Sequence, residues 1–455
     1  MTGIVHFGPG AFHRAHQADY IDRLLPHDPR WTVAAVSLRS AGTVDALRAQ
    51  QGRYTLAILD EDVRFRTLKV HDRFLGPGED AAVRRLLTRP EVRIVSSTVT
   101  EKGYCLAGDG SLDLDHPDIV RDLADPKHPR SLVGWLALSL GDRREAGLAP
   151  FTPLCCDNMA SNGKKLRAAV LGFAGRLDPD LAAWIGGEAA FPDTMVDSIT
   201  PATGDRLRRL VLEETGFHDS IPVSREAYTA WVIEDALPAA SPDFAAVGAV
   251  MAADVSAWEK AKLRILNGAH STVAYLGLLL GHATVAEAMG DAELAAFVER
   301  LVASDIVPTL QPSPLDLAAY SADILRRFRN PAIGHKLSQI AWDGSQKLPY
   351  RLLDTIADAH AAGRPLDRLA VPIAAWIAFI RRESRAGAEI VDPLAVRLAQ
   401  AGRREDPVEA VLRLREIFPE RLAAVPAFRE AVTAAAARIE RDGARALVTE
   451  ELADA

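Results

Sequence analysis

Apolar positions follow two regimes along the chain. Up to about residue 160, short runs rich in Val, Ile and aromatic residues alternate with segments of helical length. Ile4–Phe7, Thr32–Leu38, Tyr54–Leu59, Val63–Val70, Val92–Thr100 and Phe151–Cys156 read as strands, several of them too continuously apolar for burial on one face. Parallel strands covered on both faces by crossover helices satisfy that pattern, and Phe12–Leu25 and Ala41–Gln50 have the length of two such crossovers. From about residue 250 the period changes. Val255–Leu280, Thr284–Ser304, Pro372–Glu383 and Ala427–Leu452 carry Ala, Leu, Arg and Glu at helical spacing. Asp392-Pro393 and Asp406-Pro407 each set a capping acid before a Pro suited to the first helical position, predicting two more helix starts. An α/β part over residues 1–250 and a mainly α-helical part over 251–455 are expected.

Composition narrows the class. A chain of 455 residues exceeds the domain prior of about 150 residues roughly threefold, so more than one core is expected. Its 48% hydrophobic and 25% charged content is ordinary for a globular enzyme. With 53 Lys and Arg against 61 Asp and Glu, a net charge of -8 provides no basic field for a nucleic-acid backbone. Cys105, Cys155 and Cys156 are the only cysteines, too few and too badly spaced for a disulfide framework or a Cys-x-x-Cys zinc site. That usage suits a reducing cytoplasm. The first residues lack a basic stretch followed by a long apolar one, and the longest apolar candidate, Val273–Leu280, is far short of the ~20 residues that span a bilayer. A soluble cytoplasmic protein with no membrane partner is expected.

Candidate chemistry begins at the N-terminus. Ile4-Val5-His6-Phe7-Gly8-Pro9-Gly10-Ala11-Phe12-His13 sets a strand before Gly-x-Gly and a helix after it. In a dinucleotide site the first Gly makes the tight turn, the second lets the backbone approach the pyrophosphate, and the helix start supplies amide donors. His13 replaces the third Gly of that fingerprint. NAD sites set an acid after the second strand, whereas Arg accommodates a 2′-phosphate. Here that strand ends Ser37-Leu38-Arg39-Ser40, which leaves NADP open beside NAD. His13 and His16 have a spacing that could pair at zinc, but no third soft ligand is near and the pair follows the phosphate loop, so no metal is expected.

The segment from Trp258 to His270 carries the densest set of reactive side chains. At about 100° per residue with Lys262 at zero, Glu259 falls near +60°, His270 near +80° and Asn267 near +140°. Leu263 near +100° and Leu266 near +40° lie between them, so by this spacing of about 100° the face should be buried, with Lys260 at its edge and Arg264, near +200°, pointing away. Charged and amide groups on an apolar face are costly unless they meet partners or do chemistry. A Lys drawn partly out of water becomes a competent base, a Glu one turn away can relay a proton or form a simple ion pair, and Asn amides can stabilise a developing alkoxide.

With these residues the chain resembles the mannitol dehydrogenase family, the polyol-specific long-chain dehydrogenases and reductases. The matching motifs are G-P-G-A-F-H-R-A-H-Q at 8–17, T-E-K-G-Y at 100–104, C-D-N-M at 156–159, N-G at 162–163, F-P-D-T-M-V-D at 191–197, K-L-R-I-L-N-G-A-H-S at 262–271 and D-G-S-Q-K-L-P at 343–349. The resemblance implies a Rossmann-type N-terminal domain followed by a mainly α-helical C-terminal domain. It further implies metal-independent hydride transfer between a secondary alcohol and NAD, or NADP. Lys262 would be the general base or acid, Asn158 and Asn267 would hold the substrate oxygen, His270 would position substrate and Glu259 would gate the proton path. Asp197, Lys347 and Arg351 would bind substrate. Gly8, Gly10, Ala11, Phe12, Arg14, Ser37, Arg39 and Thr100 would bind cofactor. Ser198 stands where many relatives carry Arg and Gln339 where some mannitol enzymes carry a substrate-contacting Arg, and the segment Gln339–Lys347 looks closer to the mannonate oxidoreductase and fructuronate reductase branch, in which Lys347 and Arg351 could face a carboxylate. The substrate is thus a sugar alcohol or a sugar acid, D-mannitol with D-fructose or D-mannonate with D-fructuronate. A monomer is implied. A β-hydroxyacid or 6-phosphogluconate type dehydrogenase, and a cofactor-binding sensor without catalysis, remain as alternatives.

Overall fold

The first strand, β1 (Thr2–Phe7), is buried along its whole length, as its unbroken apolar run requires. This computed structural model describes residues 2–453, and the chain divides between Ser256 and Ala257 into two units. In chain order the first unit adds β2 (Thr32–Val36), β3 (Tyr54–Leu59), β4 (Arg64–Leu68), β5 (His71–Leu75), β6 (Ile94–Ser97), β7 (Thr152–Cys155), β8 (Thr194–Asp197), β9 (Val223–Glu226), β10 (Ala230–Glu234) and β11 (Val250–Ala252). Its main sheet has the order β5-β2-β1-β6-β7 with every pair parallel. From β1 the chain goes first to the β2 side and later to the β6 side, so a topological switch point lies beside β1, where open α/β sheets bind ligands.

Four expectations change. The strands at Tyr54–Leu59 and Val63–Val70 do not join the parallel sheet; β3 and β4 form an antiparallel pair, with β9 parallel on the other edge of β3. The sequence gives no sign of β5 or of β8 to β11, which are short, and the Asp197 side of β8 pairs antiparallel with β10. The expected helix Phe12–Leu25 is two helices, Ala11–Ala15 and Gln17–Leu24, broken at His16, whose φ of -114° and ψ of -85° are not helical. Asp406 caps its helix through the Glu409 amide as expected, whereas Asp392 does not start one: it accepts from the Ser345 and Leu394 amides, and the helix begins at Ala395.

The second unit is helical, with Asp367–Ala386 packed against Pro426–Ala453, a helical stretch interrupted at Gly443 by φ +85° and ψ +162°. Pro372 sits inside the first of these, six positions into a helix the sequence placed from Pro372 onward. Three stretches, Lys262–Gly268, Leu301–Ile306 and Pro349–Leu353, are π-helical, and the first packs against both others. Such turns are rare and concentrate at functional sites. Among the described residues no helix is long and apolar enough to cross a membrane.

Candidate functional site

In the first unit, the glycines after β1 form a cradle. Gly8 has φ +85°, and a Cβ there would lie 2.2 Å from the Thr98 carbonyl oxygen. Gly10 is exposed, with only the Gly8 carbonyl within reach of an added Cβ, so backbone stands open at the point where a pyrophosphate would approach. Ala11 and Phe12 are half-buried beside it. Arg14 is placed differently from the expectation of a cofactor contact. It is buried, donates to the Pro9 and Ile221 carbonyls, and braces the loop from within. His13 takes the third glycine position because its ring turns inward and stacks on His6 of β1 at 3.5 Å, while its Nε2 meets Nε2 of His71 at 3.0 Å. Burial holds His6 and His71 neutral, each pushed down to about 3. Ser37 and Arg39 follow β2, with Arg39 exposed.

Asp157 joins two of the sequence motifs, a role not foreseen from the sequence. Its carboxylate accepts from the Val99 amide at 2.9 Å, the Thr100 amide at 3.1 Å and the Tyr104 hydroxyl at 2.6 Å, so C-D-N-M clamps T-E-K-G-Y. Those bonds hold Thr100 at φ +65°. Burial raises the Asp157 carboxyl in spite of them. Asn162 is a second latch: it donates to the Cys155 and Thr194 carbonyls at 3.2 and 2.9 Å and accepts from the Thr194 amide at 2.8 Å. Gly163 follows because a Cβ would come within 2.4 Å of the Pro192 carbonyl oxygen. The signal for both latches was a polar residue next to a Gly or directly after a buried strand. Asn158 is exposed after β7, and Asp197 is buried at the end of β8.

In the second unit, Lys262 opens the π-turn and Asn267 lies five residues on. Because π-helical bonds join residues five apart, the turn winds more widely and brings these two nearer to one face than the separation of about 140° that α-helical spacing sets between them. That face is buried only in part: Leu266 and His270 are buried as expected, but Glu259, Lys262, Leu263 and Asn267 are all half-exposed, while Ala261, Ile265 and Gly268 point inward. Arg264, expected to point away, is buried instead and binds Asp358 at 2.6 Å and the Thr309 hydroxyl at 3.0 Å. Lys260 stays exposed with Asp358 at 3.4 Å.

His270 lies in the first turn of the α-helix Ala269–Leu280, which follows the π-turn. Its ring stacks on Phe328 at 4.5 Å and meets His335 edge-on at 5.0 Å, and its Nε2 is buried with no hydrogen-bond partner. Burial, then the charges of His335, Arg351, Arg327 and Lys347, hold it neutral. The motif at 343–349 builds this cluster. Asp343 takes φ +56°, and Gly344 is needed because a Cβ would press within 2.6 Å of the Trp376 and Tyr275 polar atoms. Lys347 then donates to the Trp342 carbonyl at 2.5 Å, and Pro349 starts the π-turn that carries Arg351 to the Ser271 hydroxyl at 3.2 Å. Burial lowers both cations, Arg351 to about 10. Arg327 and His335 carried no motif that sequence reasoning could seize.

The model of the mannitol dehydrogenase Rossmann domain matches residues 2–246, and that of the mannitol dehydrogenase C-terminal domain matches 254–440. D-mannonate oxidoreductase of Escherichia coli (strain K12) is 39% identical over 98% of this chain and 94% of its own length. Among solved structures, Pseudomonas fluorescens mannitol 2-dehydrogenase in ternary complex with NAD and D-mannitol is 33% identical, with a TM-score of 0.85 over 100% of this chain and 95% of that one. A substrate-free D-sorbitol dehydrogenase is 31% identical, with a TM-score of 0.91 over 98% and 94%. The chain therefore belongs to the mannitol dehydrogenase family of oxidoreductases.

Proposed function

We propose that the chain interconverts a secondary alcohol of a sugar acid with the corresponding keto acid, D-mannonate with D-fructuronate, using NAD and no metal. The observation that carries the sugar-acid reading is the buried, unpartnered Nε2 of His270 set among Lys347 and Arg351, two cations lowered by burial whose hydrogen bonds go to neutral groups. An anionic substrate answers that field better than a neutral polyol. The open backbone at Gly8 and Gly10 fits a dinucleotide, which Gly8, Gly10, Ala11, Phe12, Ser37 and Thr100 would hold. The nicotinamide, when bound, supplies the hydride acceptor.

The chain's own residues manage the proton. The Lys262 amine takes it from the reacting hydroxyl, and its half-exposed seat on the π-turn keeps a route to water beside Glu259. Asn267, on the same face, donates to the developing alkoxide without itself losing a proton. Asn158 and Asp197 are the substrate contacts we assign in the first unit, on the strength of the family motifs.

Purified protein assayed by nicotinamide absorbance should reduce D-fructuronate with kcat/KM about 100-fold above that for D-fructose, since a lost buried charge contact costs about 2–5 kcal/mol. Lys347→Met and Arg351→Met should erase that preference, and a preference for D-fructose in the unaltered protein would sink the sugar-acid reading. Lys262→Ala should cut kcat by about 10²–10⁴ while NADH still binds. Chelator should change nothing; its inhibition would exclude the metal-free route.

A further inference from the structure

Two loops meet across the C-terminal end of the parallel sheet. One follows β2 and carries Arg39; the other follows β6 and ends in the helix Pro117–Ala124, which carries Asp118 in its first turn. Because β2 and β6 flank β1 on opposite sides, these loops stand on either side of the Gly8 turn, and Gly8 itself bonds the Val36 carbonyl at 2.9 Å. The Arg39 guanidinium reaches the Asp118 carboxylate at 2.7 Å, across 79 positions of sequence. Cys105 and His116 complete the group, within 4.8 Å of Asp118 through their ligating atoms.

A metal is a poor occupant of this group. The Asp118 amide donates to Nδ1 of His116 at 3.2 Å, which leaves the ring proton of a neutral imidazole on Nε2, the atom that would have to bind. The Cys105 thiol is pushed up to about 11 by its burial, and Asp118 is already engaged by Arg39. The chemistry fits the cofactor's ribose better. The loop after β2 lacks the acid that accepts from the 2′-hydroxyl in NAD sites and offers an Arg suited to a 2′-phosphate.

We propose that Asp118 supplies the missing acid from the opposite loop, and that its pairing with Arg39 makes the site select NAD over NADP. This rests on the dinucleotide reading above. A 2′-phosphate seeking Arg39 would have to displace a carboxylate and then remain beside it, whereas a 2′-hydroxyl can donate to that carboxylate. Asp118 is thus a specificity-determining residue and Arg39 its partner.

The test is titration of the whole protein with NADH and NADPH, followed by nicotinamide fluorescence. The unaltered protein should bind NADH more tightly. Asp118→Asn should weaken NADH several-fold, as the 2′-hydroxyl loses its charged acceptor, and tighten NADPH about tenfold at low ionic strength, with a gain that shrinks as salt screens Arg39. Adding Arg39→Ala should return NADPH to its original affinity. If Asp118 only held its helix in place, Asp118→Asn would weaken both cofactors alike, and that result overturns the proposal. So does a gain that survives Arg39→Ala, or a preference for NADPH in the unaltered protein. Failure of the protein to bind either cofactor would instead overturn the dinucleotide reading, and this proposal with it.

Discussion

At Gly268, the last residue of the π-turn, an added Cβ would lie 2.9 Å from the Arg351 carbonyl oxygen, although the backbone there has right-handed helical angles of φ -66° and ψ -50°. The hydrogen side chain lets the turn that presents Lys262 and Asn267 sit directly on the turn that presents Arg351. Gly268→Ala must separate those two backbones, and overpacking of this kind costs about 1–3 kcal/mol. The substitution should lower the urea midpoint and reduce kcat/KM together. Gly290→Ala is the control, since nothing lies within 4 Å of a Cβ there and the helix conformation suits Ala; it should leave stability unchanged or slightly raised. Equal effects at the two positions would remove close approach as the reason for Gly268.

The π-turn is the element on which sequence and structure part. The residues of the candidate site could be proposed from the sequence because Lys262, Asn267 and His270 form a dense polar set in a helical segment. Their orientation was not, because apolar spacing reports a 3.6-residue period and carries no mark of a switch to bonds between residues five apart. The same switch explains Arg264, which turns inward to Asp358 and Thr309 where regular helix would have turned it to solvent. In the sheet, long β-branched runs such as Tyr54–Leu59 were legible as strands, but their partners were not: β3 pairs with β4 and with β9, which lies far along the chain. Arg264 is the anchor that fixes the π-turn to the rest of its unit. Removing Asp358 would leave a buried guanidinium with one neutral partner. A fully buried pair broken this way costs about 3–5 kcal/mol, but the Asp358 side chain is 47% exposed, which brings the expectation for Asp358→Ala to about 1–2 kcal/mol. Denaturant unfolding measures it, and a change below about 0.5 kcal/mol would mean the anchor lies elsewhere.

On the scale of the whole molecule, four of the twelve histidines are buried rings held neutral. His6, His13 and His71 lie beneath the glycine cradle of the first unit, and His270 lies in the second. The rings of His6 and His71 are held at about 3, against 6.5 for a free side chain, chiefly by burial, and burial followed by the charges around them holds His13 and His270 well below 6.5. The sign follows from proton binding. Below pH 6.5 the unfolded chain takes up protons that the native rings refuse, so the contribution of these groups is complete above about pH 7 and is lost as pH falls through 6.5 toward 3. Each ring contributes on the order of 1 kcal/mol per pH unit in that window. Most carboxylates titrate below about 4.5, so between pH 6.5 and 5 the histidines dominate the slope. Urea unfolding at pH 7.5, 6.5, 5.7 and 5 should therefore show stability nearly flat at the top of the range, then falling with an uptake of at least about two protons per molecule on unfolding. A slope near zero down to pH 5 would show that the cluster under the cradle opens to water, and the His6 and His13 stack would then no longer explain why a His replaces the third glycine.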